Sequence, residues 1–292
     1  MSNVLFNFSR QMDAKIHPPL RQVNRSRKLV EIVIGDGFGE TSVDWVELQE
    51  MSKAMVSYNF SDGNIDTVDF ALTNSKIPII WKDYVIDRRL YEAMRNKRTE
   101  IDSSAALDAA YMVSSAEETM ILRGVSRDGT NYEIPGMYEG AGNDFATTTN
   151  VGEFGGIQDA VVGAYNLFDT DNVPTDALKW NLTLAPNIYN KVIQSRNSNG
   201  TRELPELSDL LNGGNVFKSN TLAEGTGLLS PTPDTGKQYL DFYLSQEVTT
   251  EHGTDSKRPT TGPIYGRVFE AGVLRIKKDS VLCKLSSLTT TA

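Results

Sequence analysis

The segment from Asp102 to Gly124 constrains this chain more than any other. Read at 3.6 residues per turn, SSAALDAAYMVSSAEETMILRG sets Ala106, Ala110, Val113 and Met120 on one stripe. Asp102 is placed to cap the helix and Gly124 to stop it. A buried stripe made of alanine carries little side-chain bulk, so such a helix lies close against whatever it packs on. What flanks it is strand-like. IPIIWKDYVI comes before it, separated by the short charged helix DRRLYEAMRNKR, whose cationic end falls at its C-terminus as the helix dipole favours. The expected architecture is therefore α+β, with one long helix laid on a sheet.

The remaining elements follow from turn signals and periodicity. Residues 27 to 34 read as a strand, KLVEIVI, that ends at the alternating glycines Gly35, Gly37 and Gly39. Residues 41 to 76 read as a long two-stranded excursion with the turn Ser61-Asp62-Gly63-Asn64 at its tip, Asp-Gly being a favoured hairpin pair. After Gly124 the chain is turn-rich. A helix is expected from about Ile157, then the strand WNLTLAP, the helices NIYNKVIQ and TRELPELSDLLN, and a C-terminal third of strands, YLDFYLSQE and GPIYGRVFEAGVLRIKKDSVLCKL.

Charge and side-chain chemistry exclude several function classes. The chain of 292 residues has a net charge of −9, but residues 1 to 28 carry +5 and the remainder −14. A whole-protein grip on nucleic acid or anionic lipid is excluded, and any basic role is local to the arm. One cysteine, Cys283, and two histidines, His17 and His252, leave no thiolate zinc site, no disulfide and no His-rich metal or acid–base centre. No run reaches the length of a membrane span, since Ile77-Pro78-Ile79-Ile80-Trp81 is closed by Lys76 and Lys82. The first residues lack the pattern of a secretory signal, so an intracellular protein is expected.

Four motifs invite a chemical reading, and each fails on its spacing. GDGFG lacks the third spaced glycine of a dinucleotide loop. Gly236-Lys237 has Pro231 where a P-loop needs its first glycine and Gln238 where it needs Ser or Thr. In Asp169-Thr170-Asp171-Asn172, Val173 and Pro174 replace a required ligand and the turn glycine of a calcium loop. Glu117 and Glu118 are neighbours on a helix and point about 100° apart, so a solvated face or a buried salt bridge is expected there rather than an acid–base pair. With no Ser-His-Asp order and no Cys-His pair, a hydrolase or transferase on an α/β scaffold stays a distant alternative. No catalytic residue, cofactor site or metal site is expected.

The order of elements resembles the shell-protein fold of the Hong Kong 97 type, shared by the major capsid proteins of tailed viruses and by encapsulins. The residues that carry the likeness are Arg27-Lys28-Leu29-Val30-Glu31-Ile32 before Gly35-Asp36-Gly37-Phe38, and Ile77-Pro78-Ile79-Ile80 before Asp87-Arg88-Arg89-Leu90. Glu117-Glu118 before Ile121-Leu122-Arg123-Gly124, and Ile134-Pro135-Gly136-Met137, complete them. The resemblance covers residues 25 to 285, without the long N-terminal scaffolding extension that some such capsid proteins cleave.

The resemblance implies an arm and first strand at 1–34, an extended loop at 35–76, and a peripheral domain with its spine helix at 77–150. It also implies an axial domain at 151–262 and C-terminal strands returning to the peripheral domain at 263–292. The function it implies is structural: self-assembly of hexamers and pentamers into an icosahedral shell. The leading expectation is a tailed-virus capsid around double-stranded DNA, found in the virion; the alternative is a cytoplasmic encapsulin shell around a cargo enzyme. Scaffold or cement proteins are further expected partners. Trp45, Val46, Leu48, Met55, Val56, Phe60, Asp62 and Gly63 would form the loop that lies over a neighbouring subunit, because a two-stranded ribbon is not stable alone. The other reading folds their apolar side chains back on their own domain. Arg10, Lys15, Arg21, Arg25 and Arg27 would line the inner surface and meet packaged phosphate weakly and without sequence preference, or pair with carboxylates instead.

Overall fold

The computed structural model describes residues 25–47, 72–97, 104–126, 132–147, 150–254 and 262–289. Leu48, Met55, Val56, Phe60, Asp62 and Gly63 of the expected loop, Arg10, Lys15 and Arg21 of the arm, and the expected cap Asp102 lie outside these residues.

A single 3-10 turn, Ser26–Lys28, precedes strand β1 (Glu31–Ile34). The sequence pattern predicts strand from Arg27 onward. Instead the turn closes through Leu29 N–H donating to the Ser26 carbonyl, and it drives Leu29 and Val30 into the core. Burial of two large aliphatics outweighs the weak preference for extension there. Strands β2 (Ser42–Val46) and β3 (Leu72–Lys76) pair antiparallel, and β4 (Ile79–Ile86) follows directly. Helices α1 (Arg88–Lys97) and α2 (Ser104–Leu122) come next.

Gly124 ends α2 with φ +96°, a conformation favouring glycine, and a Cβ there would collide with the Ile134 carbonyl. The glycine thereby turns the chain into the short pair β5 (Gly124–Ser126) and β6 (Tyr132–Pro135), where the turn signals predict only loop. Strand β7 (Asn143–Ala146), helix α3 (Gly156–Thr170) and strand β8 (Trp180–Leu184) come next. Helices α4 (Pro186–Gln194) and α5 (Glu203–Leu210) then lead to β9 (Val216–Lys218) and β10 (Gly227–Pro231). A short turn of helix, α6 (Pro233–Gly236), precedes the long strands β11 (Leu240–Thr254) and β12 (Ile264–Ile276), and β13 (Cys283–Ser286) closes the described chain.

Two sheets organise these elements. The first has the order β1-β11-β12-β4, with β1 parallel to β11 and the other pairs antiparallel. Helix α2 crosses its inner face, where Ala106, Ala109, Ala110 and Val113 meet Tyr84, Ile86, Ile264 and Val268 in one buried cluster. The close approach expected of an alanine stripe is matched on the sheet by Gly266, whose missing Cβ leaves room for the Tyr84 ring. The second sheet has the order β7-β13-β10-β8-β9. Every residue of β8 and β10 is buried, and Trp180 stacks on Phe168 of α3 with ring centroids 4.5 Å apart.

β13 pairs with β10 and with β7, so residues 143–146 and 283–286 belong to the second sheet, whereas β12 alone of the C-terminal strands lies in the first. Each of these two strands, β7 and β13, is only four residues long, and their pairing joins positions far apart in sequence. One continuous core joins Leu240, Phe242, Leu244 and Leu274 of the first sheet to Trp180, Leu182, Leu228 and Leu285 of the second. Among the described residues, no helix is long and apolar enough to cross a membrane.

Candidate assembly surface

The root of the extended loop is held rigidly by the glycine turn. Gly35 N–H donates to the Leu244 carbonyl (2.8 Å), and Ser245 Oγ donates to the Gly37 carbonyl (2.6 Å). Glu40 accepts from the Tyr243 hydroxyl at 2.9 Å and from the Asp36 N–H at 3.2 Å. Burial, and then the adjoining Glu40 carboxylate, raise the Tyr243 hydroxyl above its ordinary pKa. The Gly35 and Asp36 amides that a phosphate cradle would offer are therefore already engaged. GDGFG is a bracket from which β2 and β3 depart. Val43 packs under the bracket against Ile77, Ala271 and Val273.

Of the expected loop residues, the structure places Trp45 and Val46. Trp45 lies opposite Thr73 and Val46 opposite Leu72 in the β2–β3 register. Val46 is exposed, Leu72 is 68% exposed, and Trp45 Nε1 is buried without a hydrogen-bond partner. Val46 and Leu72, the last pair of the described ribbon, thus turn apolar side chains to water.

A larger apolar surface adjoins this root and was not among the expected site residues. On the face of the first sheet opposite α2, Trp81 (58% exposed), Val85 (54%) and Tyr265 (48%) stand with Ile79. The β12–β4 register sets Tyr265 beside Val85, Arg267 beside Asp83 and Phe269 beside Trp81. Phe38 from the glycine turn meets Phe269 edge-on, with ring centroids 5.2 Å apart. In the middle, Arg267 grips Asp83 through two nitrogens at 2.6 and 2.9 Å. That hydrogen bond draws Asp83 below the usual carboxylate range. Among the described residues β4 is the edge strand of its sheet, so a largely apolar face, with the Arg267–Asp83 pair at its middle, runs to the sheet's rim. The signal is present in IIWKDYVI, which is apolar on both alternating faces although only one can face α2.

The arm residues that the structure describes are committed within the chain. Arg25 donates to the Lys218 carbonyl (2.8 Å). Arg27 donates through Nε to Glu117 (2.8 Å) and through Nη2 to Glu270 (2.6 Å), both carboxylates being fully buried. Arg27 is thus an anchor within the chain, tying the 3-10 turn to α2 and β12. Glu117 and Glu118 diverge, Glu118 accepting from Ser219 Oγ at 2.7 Å while Glu117 takes the buried ion pair. Glu203, also buried, accepts the Gly155 N–H at 3.0 Å beside the start of α3. Burial raises the Cys283 thiol to about 12, so it is an inert core side chain. Among the described residues, no group of three or more His, Cys, Asp or Glu side chains is placed to hold a metal.

A long helix on a four-stranded sheet, a bracketed ribbon at its rim and a second sheet sharing the core together define the Hong Kong 97-type shell fold. The chain superposes on the virus-like particle from Pyrococcus furiosus with a TM-score of 0.67, covering 96% of this chain and 99% of that one at 16% identity. It also superposes on the capsid of Myoviridae phage XM1 with a TM-score of 0.64, covering 91% and 92% at 12% identity. The chain belongs to the Linocin_M18 family, described as encapsulating protein for peroxidase, whose model matches residues 6–260. It is similar to the type 1 encapsulin shell protein EncA of Myxococcus xanthus, 27% identical over 93% of this chain and 91% of that protein. It is also similar to a diheme-cytochrome-encapsulin shell fusion protein of Kuenenia stuttgartiensis, 28% identical over 72% of this chain and 54% of that one. The protein is a shell-forming structural protein and not an enzyme. These two curated relatives are encapsulin shell proteins, which favours that reading over the tailed-virus capsid.

Proposed function

We propose that this chain is the subunit of an encapsulin-type compartment, many copies closing into an icosahedral shell around a protein cargo in the cytoplasm. The observation that carries the reading is the family match across residues 6–260, within which the curated relatives are encapsulin shells. The extended loop at 35–76 reaches over the next subunit, and the apolar face of Ile79, Trp81, Val85 and Tyr265 is where neighbouring chains remove hydrocarbon from water. Identical chains contacting through two different patches form a closed shell when the rotation between them permits. The second sheet and its helices form the axial part around the symmetry axes, where rings of five, and of six in larger shells, meet.

The tailed-virus reading has the phage XM1 likeness in its favour, but that likeness speaks to fold alone. It also draws on the arm cations, and Arg27 is already bound to two buried carboxylates. The chain produced alone is expected to form hollow closed particles by electron microscopy. Particles purified from the cells that naturally carry the gene and treated with nuclease are expected to hold protein, read by mass spectrometry and absorbance. Protected DNA of genome length would return the viral reading, and a monomer at every salt and protein concentration would overturn both.

A further inference from the structure

Glu117 and Glu270 are 153 positions apart in the sequence and meet on one guanidinium. Arg27 reaches Glu117 on α2 through Nε and Glu270 on β12 through Nη2, and both carboxylates are fully buried. The second oxygen of Glu270, Oε2, is buried without a hydrogen-bond partner, and the two carboxyls share the one guanidinium. The backbone makes room for this cluster. Between the pairs Gln246–Ala271 and Thr249–Phe269, β11 carries two residues, Glu247 and Val248, against the single Glu270 of β12. A bulge opposite a buried acid is the kind of departure from ladder geometry that re-aims side chains.

Two ionised carboxylates on one guanidinium leave excess negative charge in a site shut off from water, and a proton removes it most directly. We propose that Glu270 holds that proton near neutral pH and hydrogen-bonds Glu117 with it, and that its loss to solvent loosens the root of the N-terminal arm from α2, making the cluster a pH-dependent latch. The groups that bear on it are Arg27 from the 3-10 turn, Glu117 from α2 and, through Arg27, Glu247 from β11. β4 brings only the uncharged Ile80 opposite. Burial first, and then the Glu117 charge, push Glu270 up to about 8, with Arg27 pulling the other way. A carboxyl whose pKa is raised on folding holds its proton more tightly in the closed form. The stability it contributes is complete below the ordinary carboxylate range and is lost as pH rises toward about 8. The latch depends on contacts within one chain and stands whether the shell holds cargo or genome.

The test uses the assembled full-length protein and hydrogen–deuterium exchange read by mass spectrometry on peptides covering residues 26–34, corrected for the intrinsic pH dependence of exchange. The opening constant of this segment is expected to rise about tenfold per pH unit between about pH 5 and 7 and to level off above about pH 8. Glu270→Gln keeps the shape and a neutral donor, and its profile is expected to be flat. Should that variant fail to fold, Glu117→Gln serves instead: removing the competing carboxylate lowers the pH at which the rise levels off. A flat wild-type profile, a rise that persists in Glu270→Gln, or an unmoved plateau in Glu117→Gln overturns the latch.

Discussion

The two sheets treat apolar side chains in opposite ways. In the second sheet, β8 and β10 are buried along their whole length, and α3 seats Phe168 on Trp180. In the first, α2 covers one face, while the other shows Trp81, Val85 and Tyr265 to solvent. Among the described residues, one sheet is covered by its own chain, and the other keeps an open face that we propose a neighbour covers. On that proposal the contrast separates what makes the subunit fold from what makes it assemble, and two of the three tryptophans, Trp180 and Trp81, mark the division. Trp180 is 0% exposed and Trp81 is 58% exposed.

The largest expected effect breaks the finished sheet. Trp180→Ala removes a fully buried ring and its hydrogen bond to the Thr175 carbonyl, and is expected to cost about 4 kcal/mol in subunit stability. Denaturant unfolding checks this, and a change below about 1 kcal/mol would mean that the second sheet is not the stabilising core.

The next effect acts on the open sheet and separates folding from assembly. Trp81→Ala takes away a side chain that none of the described residues encloses. Subunit stability is expected to stay within about 0.5 kcal/mol of the wild type, while complete shells disappear. Sedimentation and electron microscopy provide the readout. Normal shells from this variant would show that the apolar face is not an assembly contact.

The same contrast explains what could be read from the sequence. The helix at 104–122 and the strand at 79–86 are legible because each carries its own period over many residues. β5, β6, β7 and β10 are three to five residues long and owe their extension to partners elsewhere in the chain, such as Asn143 beside Cys283. Their local pattern holds too little information to separate them from loop. Within the surface, Trp45 and Val46 were legible as part of an apolar ribbon. Tyr265 was not, because its place beside Val85 depends on the β12–β4 register. Glu270 was out of reach for the same reason, its partner Arg27 lying 243 residues away.

The smallest effect in the isolated subunit is expected at Asp83 and Arg267, and it discriminates best between the two states of the open face. In the subunit this pair is more than half exposed, at 57% and 52%, so water screens it and its removal costs little. Asp83→Asn, placed in the Trp81→Ala background to keep the chain unassembled, is expected to unfold within error of its parent. Under a neighbour the balance changes, because Arg267 left without its carboxylate would be covered by hydrocarbon and stay charged. Asp83→Asn alone is therefore expected to weaken shells, and the paired change Asp83→Asn with Arg267→Met to restore much of what the single change loses.

The acid side carries the same sign. Arg267 holds Asp83 below the usual carboxylate range, so the contribution of the pair is present above that range and fades as pH falls through the lowered value. Shells are expected to lose this contribution on acidification, while the unassembled subunit barely registers it. If Asp83→Asn weakens the subunit as much as the shell, the pair is an intrachain brace, and the open face must be finished somewhere other than at its centre.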